Sequence, residues 1–433
     1  MKTIAVGILG LGTVGSGVVR LLQDNGAMID ARLGAHLEVR RIARRRPTAP
    51  TPVTVDPALL TADPMEVIRD PAIQVVVELI GGTDEARRYA LEALKAGKHL
   101  VTANKALLAV HGLEIYRAAA ERGLDLGFEA AVCGGIPIIR VLRDGLVANR
   151  IRSLLGIING TANYILTRMT EQGRPFAEVL AEAQAKGYAE TDPTLDVGGH
   201  DAAHKLQILA SIAYNTFIDL AQVPVEGIAG IDPSDIRYAR ELGYVVKLLA
   251  IAKAADGELE VRVSPTLLPE DHLLASVRGV YNGVYLVGDA AGPQMFYGRG
   301  AGQMPTASAV VSDIVEIAAN ILAKRPSRRA TFSPPGDRGE LALKPLEEIR
   351  TRYYLRVMVA DKPGVLSKVS GVLGAHNVSI ASVIQKTRHE QEAVPIVMMT
   401  HEAREGDLRA ALAGIDRLDV VSAPSICLRV EEP

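Results

Sequence analysis

The sequence predicts an α/β protein with three parts: a doubly wound parallel-sheet domain, an α+β region and a C-terminal region of order βαββαβ. Three observations support this prediction. Short apolar strands alternate with amphipathic helices through the first 130 residues, which is typical of an open doubly wound sheet. Beyond residue 130 the alternation stops. Residues 325–349, rich in proline, arginine and glycine, are then typical of a linker.

The first element predicted is a buried parallel strand at TIAVGILG (3–10), because the run is apolar and rich in β-branched residues. Helical periodicity follows in VGSGVVRLLQDN. The remaining elements predicted in this part are strands at 37–45 and 75–82, a helix at 84–98, and a strand at 99–108 that runs into a loop and helix.

The turn after the first strand fits the dinucleotide-binding pattern G-x-G-x-x-G. The first glycine permits a tight turn, the second lets the backbone approach a pyrophosphate, and the third lets helix and strand pack closely. The alternative is a glycine-rich turn without a ligand. We expect a Rossmann domain over residues 1–130 that contacts its cofactor through Gly10, Gly12, Thr13, Val14 and Gly15.

The end of the second strand carries arginines where an acid would bind a ribose 2′-hydroxyl. Arg44, Arg45 and Arg46 stand there, and no acid occurs between Glu38 and Asp56. Guanidinium groups suit a 2′-phosphate, so we expect NADP(H) to be preferred, with NAD(H) as the second choice. The alternative is a solvated arginine run.

Polar residues also follow the strand at 99–102, whose C-terminal end should face the cofactor crevice. Thr102 and Lys105 stand there. We expect Thr102 to meet the cofactor and Lys105 to touch the nicotinamide or the substrate. The alternative for Lys105 is an ordinary surface lysine.

In the middle region, a strand and a helix meet at Asn159-Gly160. Further strands are predicted near 258–267 and 276–287, with a hairpin turn at Asn282-Gly283, since Asn-Gly favours such turns. A strongly apolar helix is predicted at 308–324.

The stretch GYAETDPTLDVGGHDAAHK (187–205) concentrates ionisable groups beside apolar segments. Asp201 and Lys205 are four residues apart and share a helical face. As an exposed ion pair they would contribute only about 0.3–0.5 kcal/mol, which does not explain why Glu190 and Asp196 stand nearby. A small substrate with an ammonium and a carboxylate needs such opposing charges, and a carbonyl under reduction needs a proton donor. Nearby acids keep a lysine protonated.

Composition excludes several partners. The net charge is -2 with a pI of about 6.5, and there are two cysteines, Cys133 and Cys427. Neither nucleic acid nor a membrane is expected as a partner, and a reducing, cytoplasmic compartment fits the cysteine usage. No signal peptide or membrane span is expected.

Taken together, these motifs resemble the homoserine dehydrogenase family in its long form, with a C-terminal ACT domain. The resembling segments are GILGLGTVG (7–15), TANKALL (102–108), GFEAAVCGGIPII (127–139), GIINGTANYIL (156–166), GYAETDPTLDVGGHDAAHKLQIL (187–209) and GRGAGQMPTASAVVSDI (298–314). The resemblance implies interconversion of L-homoserine and L-aspartate 4-semialdehyde, in threonine, methionine and isoleucine biosynthesis.

The resemblance also implies roles for individual residues. Lys205 would be the proton donor, with Lys105 between nicotinamide and substrate. Glu190 would bind the substrate amino group in the loop that begins at Gly187. Asp196 and Asp201 would shape the pocket and hold Lys205. Gly302 would return to the cofactor, so the helix over 305–324 should pack on the first domain, leaving 131–304 as the substrate and dimerisation domain.

Family members also hold a monovalent cation, typically sodium, in the loop GFEAAVCGGIPI. The matching positions are Glu129, Val132, Gly134 and Ile136, largely through backbone carbonyls. The alternative is a glycine-rich connection. Within this loop Cys133 is expected to be a buried spectator rather than a nucleophile. His200 and His204 have the spacing of helical zinc ligands, but no third ligand is evident, so zinc is not expected.

The C-terminal region, 350–433, resembles an ACT domain, with DKPGVL (361–366) at its first strand-to-helix turn. Such domains pair and often bind amino acids near that turn, so L-threonine is the expected feedback effector and a homodimer or homotetramer the expected assembly. The alternative is a dimerisation module with an unused ligand site. Two other functions stay open at this point: a dehydrogenase of another small amino-acid aldehyde, and an amino-acid sensor that has lost catalysis.

Overall fold

A computed structural model describes residues 1–325, 341–385 and 393–432. Most of the predicted linker, residues 326–340, lies outside the described residues. The strands are β1 (Lys2–Leu9), β2 (Ala35–Ala43), β3 (Leu60–Thr61), β4 (Ile73–Glu78), β5 (His99–Thr102), β6 (Leu126–Gly127), β7 (Ile151–Ile157), β8 (Tyr244–Ala255), β9 (Glu258–Pro269), β10 (Tyr281–Gly288), β11 (Gly292–Arg299), β12 (Ala342–Leu343), β13 (Arg350–Ala360), β14 (Ile380–Ile384), β15 (Ala393–Thr400), β16 (Ala403–Arg404) and β17 (Val421–Val430). The helices are α1 (Thr13–Leu33), α2 (Pro64–Arg69), α3 (Asp84–Lys95), α4 (Lys105–Glu121), α5 (Ile138–Arg140), α6 (Gly160–Gln172), α7 (Phe176–Ala185), α8 (Thr194–Val197), α9 (His200–Ala213), α10 (Pro233–Glu241), α11 (Gln303–Ala323), α12 (Val365–Ala375) and α13 (Glu405–Ile415).

The chain forms two compact units. The first contains Met1–Arg152, Ala203–Gln222 and Asn282–Glu340, and the second contains Ser153–Ala202, Val223–Tyr281 and Leu341–Pro433. The helix α9 begins in the second unit and ends in the first, so Asp201 and Lys205 share this helix but are assigned to different units.

The first unit confirms the predicted doubly wound domain. Its sheet has the order β3-β2-β1-β4-β5-β6, and every neighbouring pair is parallel. The strand order reverses between β1 and β4, where a doubly wound sheet opens a crevice for its ligand. The central strands are buried on both faces: Val6, Ile8, Val75 and Val77 join one apolar cluster and Leu9 and Val76 another, and all six are inaccessible to solvent.

The apolar helix α11 belongs to the core of the first unit. It packs along α1, where Ala307 and Val310 join the same buried cluster as Val18. A Cβ on Gly17 would lie 3.0 Å from the Cβ of Ala307, so this glycine permits the close approach of the two helices. Among the described residues, α11 alone is long and apolar enough to cross a membrane, and half of its most apolar window is buried.

The second unit contains a sheet of order β7-β8-β9-β17-β13-β15-β14. Its C-terminal portion has the predicted order β13-α12-β14-β15-α13-β17, and its own core includes Tyr353, Val369 and Leu408. The last strand, β17, runs parallel to β9, with Arg429 opposite Thr266. The C-terminal part therefore continues the sheet that β7, β8 and β9 form.

The predicted hairpin turn at Asn282-Gly283 is wrong. Both residues lie inside β10, neither has the positive φ that a type I′ turn requires, and Asn282 is buried. The chain turns instead between β10 and β11, where the carboxamide oxygen of Asn149 accepts the N–H groups of Ala290 and Ala291. Pairing of β10 with β11 in the sheet overrides the local turn propensity of Asn282-Gly283. The strand β8 also appears where sequence analysis predicted none.

Candidate functional site

The cofactor crevice begins where β1 ends. Gly10 has φ 106°, and a Cβ there would lie 2.6 Å from the carbonyl oxygen of Leu79, so only glycine fits. A Cβ on Gly15 would lie 2.1 Å from the carbonyl oxygen of Gly10, so only glycine lets α1 pack this closely against the end of β1. Nothing lies within 4 Å of a Cβ placed on Gly12, at the N-cap of α1. The fingerprint glycines thus leave the helix N-terminus, with Thr13 and Val14 in its first turn, open to an anion.

A cavity of about 720 Å³ extends from this turn. Its lining residues are Gly10, Leu11, Gly12, Ala43, Arg44, Arg45, Arg46, Ala49, Ala62, Pro64, Leu79, Ile80, Gly81, Glu85 and Tyr89. Arg45 and Arg46 are exposed. Arg44 is half-buried, and its guanidinium donates to the carbonyl of Ala49 at 3.1 Å. Arg44 therefore holds the loop, while Arg45 and Arg46 present their charge to the cavity.

The first turn of α11 meets the fingerprint helix. Gly302, with φ 122°, is the N-cap of α11, and the next residue, Gln303, donates its amide to Ser16 Oγ at 3.0 Å. Ser16 Oγ in turn donates to the carbonyl of Gly12 at 2.7 Å. The late loop that carries Gly302 thus lies beside the helix that opens the cofactor crevice.

The strand ends on the other side of the crevice are organised by a buried carboxylate that sequence analysis missed. Glu78, the last residue of β4, accepts the Thr102 hydroxyl at 2.7 Å and the Ile80 N–H at 2.8 Å. Burial raises the pKa of Glu78, although these hydrogen bonds oppose the shift. Thr102 Oγ1 accepts the N–H of Asn104, and Asn104 caps α4, whose first residue is Lys105. Glu78 therefore fixes both the crevice wall and the position from which Lys105 projects.

The predicted cation loop is bent and buried. Cys133 and Gly134 have φ of 56° and 42°, and a Cβ on Gly134 would lie 2.7 Å from the carbonyl oxygen of Gly300. Val132 and Ile136 are buried. The Glu129 carboxylate is already used, because it accepts the N–H groups of Ile139 and Arg140 at 2.8 and 2.9 Å. The loop therefore offers a cation main-chain oxygens and not a free carboxylate.

Asp313 supports this loop from α11. Its carboxylate accepts the Glu129 N–H at 2.8 Å. Burial and the charge of Glu129 raise the pKa of Asp313 to about 7. No cluster of three or more His, Cys, Asp or Glu side chains that could hold a metal occurs among the described residues.

The acidic stretch forms a small polar centre in the second unit. The Asn159 amide nitrogen donates to Asp196 Oδ1 at 2.7 Å and to Asp201 Oδ2 at 2.8 Å. Asp201 and Lys205 are 8% and 9% exposed and lie one turn apart on α9. Two neighbouring carboxylates repel each other, so the amide between them stabilises the pair. Asp196 and Asp201 are thus brought together by a residue distant in sequence.

Glu190 lies in the exposed loop before α8. Gln184 holds this loop by donating to the carbonyl of Glu190 at 3.1 Å, and the Thr161 hydroxyl donates to the carbonyl of Tyr188 at 2.7 Å. Gly187 has φ 72° and takes the left-handed turn with which the loop begins. Gly187, Tyr188 and Glu190 are exposed, so a small ligand can reach the loop.

The chain is 47% identical to the homoserine dehydrogenase of Pseudomonas aeruginosa, over 100% of both proteins. It belongs to the homoserine dehydrogenase family. It is also 44% identical to the homoserine dehydrogenase of Neisseria gonorrhoeae, over 100% of this chain and 99% of that protein. The crystal structure of a homoserine dehydrogenase from Thiobacillus denitrificans superposes with a TM-score of 0.92 at 45% identity and covers 100% of this chain and 99% of that one.

Three family models match consecutive parts of the chain. The homoserine dehydrogenase NAD binding domain matches residues 10–129, homoserine dehydrogenase matches 137–315, and the ACT domain matches 353–419. This homoserine dehydrogenase is therefore an oxidoreductase of amino-acid biosynthesis that uses a nicotinamide cofactor and acts on a small molecule.

Two residues that shape these sites, Asn159 and Glu78, were not predicted from the sequence. Asn159 was noted only as part of an Asn-Gly junction, although its side chain also caps α6 by accepting the Ala162 N–H at 2.7 Å. An amide next to glycine is a common turn signal and suggests no other role. The hydrogen-bond partners of Asn159, Asp196 and Asp201, lie 37 and 42 residues away, so no local pattern connects them with it. Glu78 could have been found from the sequence, because it is an acid at the end of an otherwise apolar strand.

Proposed function

We propose that the enzyme interconverts L-homoserine and L-aspartate 4-semialdehyde with a preference for NADP(H), in the biosynthesis of threonine, methionine and isoleucine in the cytoplasm. The observation that carries the proposal is the polar centre in which Asn159 joins Asp196 and Asp201 one helical turn before Lys205. A reduced nicotinamide, when bound, supplies the hydride to the aldehyde carbon.

The chain's own residues bind the substrate and move the proton. The Lys205 ammonium gives a proton to the carbonyl oxygen as the alkoxide develops, and takes it back in the oxidation direction. Asp201, held by Asn159, orients Lys205 and keeps it charged. Glu190 and Asp196 bind the ammonium group of the substrate, and Lys105 holds the substrate against the nicotinamide side.

The cofactor preference rests on the arginines beside the crevice. The strand β2 ends at Ala43 with no acid to bind a ribose 2′-hydroxyl, and Arg45 and Arg46 line the 720 Å³ cavity next to it. These guanidinium groups pair with a 2′-phosphate. Glu129, Val132, Gly134 and Ile136 would hold a sodium ion, largely through their main-chain carbonyls, and the ion would stiffen the loop.

We also propose that L-threonine regulates the enzyme through the ACT domain, and that the chain assembles as a homodimer or homotetramer. Support comes from the turn between β13 and α12, where Gly364 is the N-cap with φ 84°. Asp361 Oδ2 in this turn is buried and accepts no hydrogen bond from any described residue. A buried carboxylate oxygen without a donor is costly, and the ammonium group of an amino acid would satisfy it.

The decisive experiment follows NADPH oxidation by absorbance, with purified enzyme and L-aspartate 4-semialdehyde, with and without L-threonine. Oxidation slowed by threonine supports both proposals. Oxidation indifferent to threonine retains the dehydrogenase and refutes feedback. No oxidation with NADPH or NADH refutes the proposed substrate. Lys205→Ala should abolish turnover and retain NADPH binding; loss of both would indicate a structural role for Lys205.

A further inference from the structure

A partly buried ion-pair cluster joins the ACT domain to the segment that precedes α10. The Arg429 guanidinium of β17 donates to both carboxylate oxygens of Glu226, at 2.9 and 3.0 Å, and to both oxygens of Glu405, at 2.9 and 2.7 Å. Arg429 is 3% exposed, and Arg409 adds a contact to Glu226 at 3.0 Å. Bidentate pairs of this kind fix the relative orientation of the groups they join.

Glu226 remains charged in this cluster. Burial raises the pKa of its carboxyl, but the hydrogen bonds and charge of Arg429 outweigh that effect and lower the pKa overall. Its backbone is also held, because the Glu226 N–H donates to the carbonyl of Val263 in β9 at 2.8 Å. The side chain thus faces the ACT domain while the main chain lies against the substrate region.

The residues after Glu226 touch the loop that carries the acidic centre. The Ile228 N–H donates to the carbonyl of Val197 at 2.8 Å. A Cβ on Gly227 would lie only 2.4 Å from that same carbonyl oxygen, so the two backbones are in direct contact. Val197 is the last residue of α8, next to Asp196, whose carboxylate accepts the Asn159 amide. A displacement of Glu226 would therefore reach Asp196 through two peptide segments packed against each other.

We propose that Glu226 is a positioning residue through which the ACT domain holds the substrate loop at Asp196. The effect on substrate binding rests on the proposed role of Asp196 in the substrate site, whereas the mechanical link does not. The C-terminal domain is thus linked, through Glu226, to the Asn159–Asp196–Asp201 centre of the same chain. This link is separate from the turn at Asp361.

The test is Glu226→Gln, which keeps the side-chain volume and removes the charge that Arg429 binds. We expect the KM for L-homoserine to rise about tenfold while the KM for NADP changes less than about twofold, because loop misplacement costs substrate binding and leaves the first unit intact. Glu226→Asp, which keeps the carboxylate, should recover part of the loss. In parallel, amide hydrogen exchange over residues 194–199 should become about fivefold faster in Glu226→Gln.

Asp235→Asn is the matched control. Asp235 is fully buried and joins the same ACT strand region to α10, accepting from Tyr354 Oη at 2.9 Å and from Arg356 Nη2 at 2.9 Å. It should lower the melting temperature without the KM split or the local change in exchange. Equal effects of the two variants, or unchanged exchange at 194–199 in Glu226→Gln, would overturn the proposal. If the wild-type enzyme does not oxidise homoserine, the proposed function fails, and the exchange measurement alone decides the link.

Discussion

The side-chain amide of Asn159 donates to the Asp201 carboxylate at 2.8 Å, although the two residues are 42 positions apart. The same nitrogen reaches Asp196 at 2.7 Å. The neutral side chain of Asn159 therefore holds two carboxylates that precede Lys205 in the chain, and one of them, Asp201, lies one turn before Lys205 on α9.

Replacing Asn159 by serine tests this arrangement. Serine retains an N-cap for α6 but cannot donate to both acids, so their orientation around Lys205 should be lost. We expect kcat/KM for homoserine to fall about 100-fold, in line with two lost charge-assisted hydrogen bonds. Steady-state kinetics measure the loss, and unaltered NADPH affinity is the control. A fall of less than about threefold would mean that Asn159 only caps the helix.

Glu78→Gln tests the carboxylate beneath the crevice wall. Glutamine keeps the volume, but its amide nitrogen cannot accept the Thr102 hydroxyl, so the segment from Thr102 to Lys105 should shift. We expect about a tenfold lower kcat together with a higher KM for NADPH. Glu121→Gln, at the exposed last residue of α4 and outside the cofactor cavity, should leave both constants unchanged. Identical kinetics for the two variants would contradict a role for Glu78.

Arg45→Ala tests the cofactor preference. Loss of a charged hydrogen bond to a 2′-phosphate should raise the KM for NADPH about tenfold and leave the KM for NADH unchanged. Arg44→Ala is the informative comparison, because Arg44 holds the loop through the carbonyls of Ala49 and Pro50. It should weaken both cofactors alike. A uniform loss in Arg45→Ala would instead assign that residue to the loop.

Asp361→Asn tests the effector site. The amide loses the charge that would bind a ligand ammonium, so the threonine concentration giving half inhibition should rise about tenfold. A point substitution is easier to interpret than removal of the domain, because deleting β17 would also remove a strand that pairs with β9. Asp419→Asn, at an exposed acid paired with Lys368, should respond to threonine like the wild-type enzyme. Unchanged inhibition in Asp361→Asn would exclude this turn.

The sequence alone was enough to predict the doubly wound domain and the C-terminal βαββαβ order. Both depend on local signals, namely short apolar strands, helical periodicity and glycine turns. The fingerprint glycines are a clear case, since Gly15 is required by its contact with the carbonyl of Gly10 in the same turn. The candidate acids and Lys205 were likewise found because they are concentrated in one stretch.

Tertiary structure decided what local pattern could not encode. Asn282-Gly283 has a turn signature but lies in a strand, because pairing of β10 with β11 and the capping of the next turn by Asn149 outweigh the local turn preference. The contacts of Asn159 with Asp201, and of Arg429 with Glu226, join segments 42 and 203 residues apart. Such pairs leave no periodicity in the sequence, since each forms only after folding has brought two distant segments together.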